Sequence, residues 1–441
     1  MSHITAANPF ERDARAVNAR DHHGVNPGEI AIGVIIGRTA EFFDFFVFAI
    51  ASVLVFPQRV FPFVDPVTGT LYSFAIFALA FIARPFGTWL FMTIDRNFGK
   101  GVKLTIAIFL LGTSTVIVAF LPAYDQIGSA AIWLLAIFRI GQGMALGGTW
   151  DGLASLLAMN APEHQRGWYA MIPQLGAPLG MMIASGLFAF FLGFLPTADF
   201  LSWGWQFPFF CAFAINVVAL FARLRIVVTP EYVRQFENRE LQASRVRRTV
   251  REHGRTIVIG AFTPLASFAM FHMVTVFPLS WVYLFTQQSS TRFLLIEVIG
   301  GIVGVIAIVL SGVISDRIGR RNLLMALAFL IAIFSGFAPQ LLDGGESGEL
   351  IFMVVGFALL GVSFGQCSGA VASNFPRAFR YTGSALVSDL AWLFGAGFAP
   401  FVALLLADYF GLIAAGLYLL SGAVCTLVAL LVYNRLEVSE A

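Results

Sequence analysis

Three ionisable side chains stand inside one apolar run: Arg38, Glu41 and Asp44, in the stretch GRTAEFFDFF. Spacing of three puts Arg38 beside Glu41 and Glu41 beside Asp44 on one side of a helix. Counted at 1.5 Å per residue from Ile30, they lie roughly 12, 16 and 21 Å into the run. If the run crosses a bilayer, both acids sit near its middle, where a charge costs several kcal/mol unless it faces a partner or a wet cavity. Burial disfavours an ionised carboxylate and a nearby arginine favours it. A carboxylate under both influences can take up and release protons, so Glu41 and Asp44 are proton-coupling candidates. The structural alternative is an Arg–carboxylate pair that pins helices together.

Other charges fall at comparable depth. Arg84-Pro85 interrupts the next apolar run about 16 Å from Asp95. The proline bends the helix there, and the guanidinium offers a two-pronged fork for a carboxylate. Asp151, in the fourth run, falls at similar depth and joins the proton-coupling candidates. Arg139 opens RIGQGMALGGTW. With Arg38 and Arg84 it completes the substrate-binding candidates, while Gly143, Gly147 and Gly148 read as close-packing positions. Gly176-Ala177-Pro178-Leu179-Gly180 reads the same way, as packing and bending. In the second half, Glu297 and Asp389 lie within about two turns of their helix starts. The macrodipole stabilises negative charge there, a reading placed ahead of a coupling role. His272 reads as a hydrogen-bonded core histidine rather than a switch. Cys211, Cys367 and Cys425 read as small packing residues.

A short polar motif occurs twice. Asp95-Arg96-Asn97-Phe98-Gly99-Lys100 follows one apolar run, and Asp316-Arg317-Ile318-Gly319-Arg320-Arg321 follows another half a chain later. Each opens directly into the next run. Duplicated hinges imply two copies of one membrane unit, the organisation of secondary transporters whose site lies between repeats. Asp95, Arg96, Asp316, Arg317 and Arg320 are candidate gate residues on the cytoplasmic face.

The elements that hold these residues follow from composition. Hydrophobic residues make up 58% of the 441-residue chain, charged residues 12%, and mean hydropathy is +0.83. A spanning helix needs about 20 apolar residues. Runs of that kind lie near Ile30–Phe56, Leu71–Thr93, Val102–Leu121, Ile132–Met159, Trp168–Leu195, Trp205–Ile226, Thr256–Phe285, Phe293–Ser315, Leu323–Leu342, Leu350–Ser373, Ser384–Ala407 and Leu412–Val432. No run alternates in strand fashion, so the expectation is an all-α integral membrane protein of about twelve spans in two six-helix pseudo-repeats. The expected units are residues 30–226 and 256–433, with cytoplasmic segments 1–29, 227–255 and 434–441. The first of these segments has no apolar core, so no cleavable signal is expected. With the N-terminus inside, 22 of the 27 Lys and Arg residues fall in inner segments and two in outer loops. That asymmetry puts both termini in the cytoplasm, in the manner of an inner-membrane protein. The basic residues then read as topology signals rather than a nucleic-acid surface. No phosphate loop, metal-ligand cluster or catalytic triad is present in the sequence. Neither an enzyme, a cofactor nor a bound metal is expected.

The duplicated hinge resembles the cytoplasmic-loop motif of the major facilitator superfamily, and RIGQGMALGG its fourth-helix motif. More narrowly, the chain resembles the metabolite:proton symporter family. The stretch EFFDF, Glu41–Phe45, is similar to that family's first-helix E-W-Y-D-F. FIARPFG, LPAYDQIG, WGWQFPF, RLRIVVTPEY and FPRAFRYTG match in place and order, and the likeness runs from Glu29 to Val432. It implies alternating access and proton-coupled uptake of small metabolites: di- and tricarboxylates, cyclic acids such as shikimate, or zwitterionic osmolytes. It also assigns Glu41 and Asp44 to the family's first-helix acids, Arg84 and Arg139 to its second- and fourth-helix arginines, and Asp95 and Asp316 to its gating hinges. Four positions depart from the family pattern. Thr149 stands where a Glu is usual, with Asp151 two positions on; Gln206 replaces a common Arg; Arg38 is unusual; and the first hinge has Phe98 as an extra residue.

The expected function is therefore proton-coupled symport of a small carboxylate-bearing metabolite by a monomer in the membrane. The alternatives are an exporter of organic acids or drugs on the same fold, and a transporter-like metabolite receptor.

Overall fold

The computed structural model describes residues 27–149, 161, 163–227, 242–367 and 375–432, and these contain helices and turns without a strand. Helix α1 is Pro27–Leu54, α2 Pro66–Phe98, α3 Lys100–Ala119 and α4 Ala130–Gly148. Helix α5, Gly176–Phe194, is entered through the short helix Arg166–Met171 and a tight turn at Ile172–Leu175. Helix α6 is Gln206–Val227 and α7 Val246–Phe262. Next come α8 Leu265–Thr275, α9 Phe277–Phe285, α10 Ser290–Ile318, α11 Arg320–Leu342 and α12 Gly345–Phe364. Helix α13, Arg377–Ala391, widens through a π turn at Trp392–Gly397 into α14, Ala399–Phe410, and α15 is Leu412–Val432. Among the described residues, eleven helical stretches are long and apolar enough to cross a membrane. Helix α1 is long enough too, but carries Arg38, Glu41 and Asp44 along it.

Local chemistry sets where these helices start and break. Asp65 caps α2 by accepting the N–H groups of Val67 and Thr68 at 3.1 Å, with Pro66 at the first helical position. The run expected as one span over Thr256–Phe285 is broken before α8, where Pro264 stands, and again before α9, where Pro278 is near the helix start. Proline supplies no N–H to continue the ladder. Pro400 follows the π turn of α13–α14 for the same reason. The fourth run is expected to extend to Met159, yet α4 ends at Gly148.

Both hinges use the same backbone device. Gly99 and Gly319 have φ of 88° and 83°, a left-handed conformation that favours glycine. Each gives its N–H to the carbonyl four residues back and lets the next helix begin immediately.

Helix α2 packs closely on α4, α1 on α5 and α6, α10 on α12, and α11 on α15. Two seams join the first and second halves: α5 against α10, and α2 against α13 and α14. Glycines allow the tightest approaches. A Cβ on Gly147 would lie 2.4 Å from the Arg84 carbonyl oxygen, and one on Gly143 2.2 Å from that of Ala80. Gly176 and Gly180 give α1 the same access to α5. The packing role read from these glycines is what the structure assigns them.

Candidate functional site

Between α1, α2, α4 and the π turn after α13 lies a cavity of about 380 Å³ lined by Arg38, Glu41, Phe42, Phe45, Phe81, Arg84, Leu146, Thr149 and Trp392. The lining mixes aromatic walls with a few polar groups, the pattern of small-molecule sites. Two of the three arginines expected to bind substrate, Arg38 and Arg84, are here.

Glu41 lies between two arginines. Its Oε2 accepts from Arg38 at 2.5 Å and its Oε1 from Arg223 at 2.6 Å. Arg223 also donates to the Thr149 carbonyl at 3.1 Å. Charge counting puts Arg223 in a solvated inner segment, but it lies within α6 and is only 2% exposed. Its buried position escapes a reading of the sequence because a basic residue near the end of an apolar run also fits a topology signal.

Asp44, one turn along α1 from Glu41, does not line this cavity. It is 2% exposed and accepts the Thr115 hydroxyl of α3. Gln142 donates to the same hydroxyl at 2.8 Å and accepts from Arg139 at 3.0 Å. A hydrogen-bonded chain thus joins α1, α3 and α4. Spacing of three keeps neighbours adjacent but turns each by about 60°, so Glu41 and Asp44 meet different helices. Arg139 also departs from expectation. Its guanidinium lies 4.1 Å from the Phe48 ring centroid and 4.6 Å from that of Phe77, donates to the Phe77 carbonyl, and is 1% exposed. It braces the wall behind the cavity instead of lining it. Asp151 lies outside the described residues.

Arg84 reaches across the second seam. Its Nε is 2.8 Å from Asp389 Oδ1, and Thr88, one turn on, donates to Asp389 Oδ2 at 2.5 Å. This corrects the helix-start reading of Asp389, which lies about three turns into α13 and answers a specific cation. Glu297 on α10 accepts from Ser185 of α5 at 2.8 Å across the other seam.

Above the cavity, toward the end of the protein opposite the hinges, aromatic rings fill the centre. Phe42, Phe45, Phe46, Phe81, Phe271, Phe364 and Trp392 make ring contacts of 5.0–6.3 Å. His272 is stacked on Phe45 at 5.2 Å. Among the described residues neither ring nitrogen of His272 has a hydrogen-bond partner, and the ring packs among aromatic neighbours instead of making the hydrogen bond expected.

The hinge end is tied by a second polar group. Asp95 lies 3.1 Å from Lys100 and 3.3 Å from Lys103, all three buried. Tyr381 of α13 donates to Asp95 at 3.2 Å and accepts from Lys103 at 2.6 Å, linking the halves. Both lysines count as inner-face topology signals in the sequence; their burial beneath Tyr381 is not legible from charge alone. In the other copy, Asp316 accepts the N–H groups of Gly167 and Trp168 at 2.6 and 3.1 Å. The extra Phe98 explains the difference. Asp95 stands four residues before its glycine and Asp316 three, a rotation of about 100° on the helix. Arg96 donates to the Ser244 carbonyl and to Thr93, Arg320 to Gln366, and Arg317 is exposed. Tyr381→Phe is expected to loosen this tie, since hydrogen bonds to charged groups contribute about 1.5–3 kcal/mol. A cysteine replacing Leu146 in the cavity wall should then react about tenfold faster with a thiol reagent from the hinge side. An unchanged rate would remove Tyr381 from the tie.

The model of the family described as "Sugar (and other) transporter" matches residues 30–264 and 282–436. The inner membrane metabolite transport protein YhjE of Escherichia coli (strain K12) is 34% identical over 433 residues, covering 96% of each chain. The shikimate transporter of the same organism is 28% identical over 403 residues, covering 89% of this chain and 91% of its own. The crystal structure of a D-xylose-proton symporter superposes with a TM-score of 0.69 at 19% identity, over 92% of this chain and 97% of that one. At that identity the likeness establishes the fold. Family, relatives and fold agree with the apolar helices. The chain belongs to the sugar (and other) transporter family of the major facilitator superfamily, as a multi-pass inner-membrane secondary transporter.

Proposed function

We propose that this protein imports a small carboxylate-bearing metabolite together with protons, by alternating access. The observation that carries the reading is the seam cavity, where Arg38 and Arg84 face a space walled by Phe42, Phe45, Phe81 and Trp392. Arginine offers a planar fork to a carboxylate, and aromatic faces suit a compact or cyclic carbon skeleton. Relatives carry the names shikimate transporter, alpha-ketoglutarate permease and proline/betaine transporter. Those compounds differ in shape and net charge but share a carboxylate, the group Arg84 and Arg38 would recognise here.

In this reading α1 is a twelfth span, the two six-helix units are residues 30–226 and 256–433, and the hinge end with both termini faces the cytoplasm. The aromatic cluster closes the outer path and the Asp95–Tyr381 and Asp316–Gly167 ties close the inner one. Breaking the two closures alternately exposes the cavity to one side at a time. Glu41, clamped by Arg38 and Arg223, holds the arginine layer in register. Asp44 carries a proton: among the described residues no cation is within ion-pair distance, and the Thr115 hydroxyl can serve either protonation state.

The test is uptake of shikimate and alpha-ketoglutarate into inverted and right-side-out vesicles, with and without a pH gradient. Accumulation that ignores a protonophore would sink the coupling. Asp44→Asn is expected to abolish accumulation while substrate exchange across the membrane survives. Unchanged gradient-driven uptake would exclude Asp44.

A further inference from the structure

Asp389 occupies the position on Arg84 that a substrate carboxylate would take. It is 2% exposed, on the second-half side of the seam, with both oxygens engaged by α2: Oδ1 by the Arg84 guanidinium and Oδ2 by the Thr88 hydroxyl. Trp392, three residues on, lines the cavity and lies 5.9 Å from the Arg84 guanidinium. The anion that neutralises Arg84 in this structure is therefore a protein side chain beside the cavity, on the opposite half of the fold.

We infer that Asp389 is an internal competitor for Arg84, released by taking a proton when a substrate carboxylate arrives. The inference rests on the carboxylate reading above. A proton from cavity water binds Oδ1, forming one O–H bond, and the Arg84–Asp389 ion pair breaks. Arg84 turns its N–H groups to the incoming carboxylate, while the Thr88 hydroxyl keeps its bond to Oδ2. One anion and one proton enter together, so the site's charge is conserved. When the substrate leaves, Asp389 gives up the proton and re-pairs with Arg84. Neither partner alone suffices: an unprotonated Asp389 holds Arg84, and a protonated one without substrate strands a buried guanidinium.

The surroundings suit that cycle. Among the described residues, Arg84 is the charged group within ion-pair reach of Asp389. Helix α7, packed on α13, presents Thr249, His253 and Arg248, the last two against Phe379 about three turns back. Asp95, Lys100 and Lys103 meet α13 two turns back, at Tyr381. From α1, Arg38 and Glu41 face the same cavity.

The experiment has a ligand-free arm and a transport arm. In purified wild-type protein, an infrared pH titration should show a protonated-carboxyl band that Asp389→Asn removes and Thr88→Val moves to higher pH. In vesicles, apparent affinity for whichever of shikimate and alpha-ketoglutarate is taken up should weaken about tenfold per pH unit above that midpoint. Asp389→Asn should flatten this slope and lose accumulation but keep exchange, whereas Asp44→Asn should keep the slope. A titration band unchanged in Asp389→Asn overturns the inference, as does wild-type accumulation by that variant. If neither acid is transported by the wild type, the carboxylate reading fails separately, and the ligand-free titration still decides whether Asp389 takes the proton.

Discussion

Arg84→Gln is expected to cost this transporter at least thirtyfold in apparent affinity for a carboxylate, because truncating one partner of a buried charge pair typically costs about 2–5 kcal/mol. The loss has two sources. The substrate loses a cationic fork in the cavity wall, and Asp389 is left with Thr88 as its remaining partner. A carboxylate in that position takes a proton rather than remain charged without a cation. Arg84→Lys keeps the charge but not the planar fork, so it should recover only part of the affinity. Equilibrium binding of shikimate and alpha-ketoglutarate to purified protein checks both variants. Equal affinity in Arg84→Gln and wild type would take Arg84 out of the binding site.

The second large effect is structural. Gly147→Leu is expected to prevent α2 and α4 from docking and to leave little folded protein. A Cβ there would lie 2.4 Å from both the Arg84 carbonyl oxygen and the Thr88 nitrogen, which are backbone atoms that cannot rotate away. Overpacking by flexible side chains costs about 1–3 kcal/mol, and a backbone clash exceeds that because a helix must move. The same contact seats Arg84 and Thr88, so any protein that does fold should also bind carboxylates poorly. Gly336→Leu is the control, since no described residue lies within 4 Å of the point a Cβ would occupy there. Thermal unfolding in detergent should separate the two by tens of degrees or by outright loss of the Gly147 variant; equal stability would refute the close-packing role.

Much of the architecture is legible in the chain itself. Apolar runs of spanning length mark the helices, and prolines and glycines mark most of their breaks. The duplicated hinge is also legible, though the positive φ of the glycine in each copy comes from the structure. Charges inside apolar runs point to Arg38, Glu41 and Arg84, because placing a charge in such a run demands a reason. The pattern fails where two explanations predict the same residue. A basic residue near a helix end satisfies the positive-inside rule whether it reaches water or turns inward, so Arg223, Lys100 and Lys103 read as solvated. Asp389 near the expected start of a run satisfies a helix dipole as well as it satisfies Arg84. His272 gives no sign that its neighbours are rings on other elements.

By itself, then, the sequence determined the apolar composition, the helices and the duplicated hinge, all of which depend on spacing along one chain. Only the tertiary structure decided which charges meet. It put Glu41 between Arg38 and Arg223, Asp44 on Thr115, and Asp389 on Arg84, across separations in sequence of up to about three hundred residues. Depth fixes a residue's level in the membrane, whereas partnership depends on which way each helix is rotated and which helix lies beside it. Those are set by packing of faces and by glycine contacts between helices, such as Gly87, Gly143 and Gly147 in the α2–α4 pair. The two hinges show how little separates the outcomes. One added residue, Phe98, rotates Asp95 by about 100° relative to its counterpart and gives two similar motifs different partners.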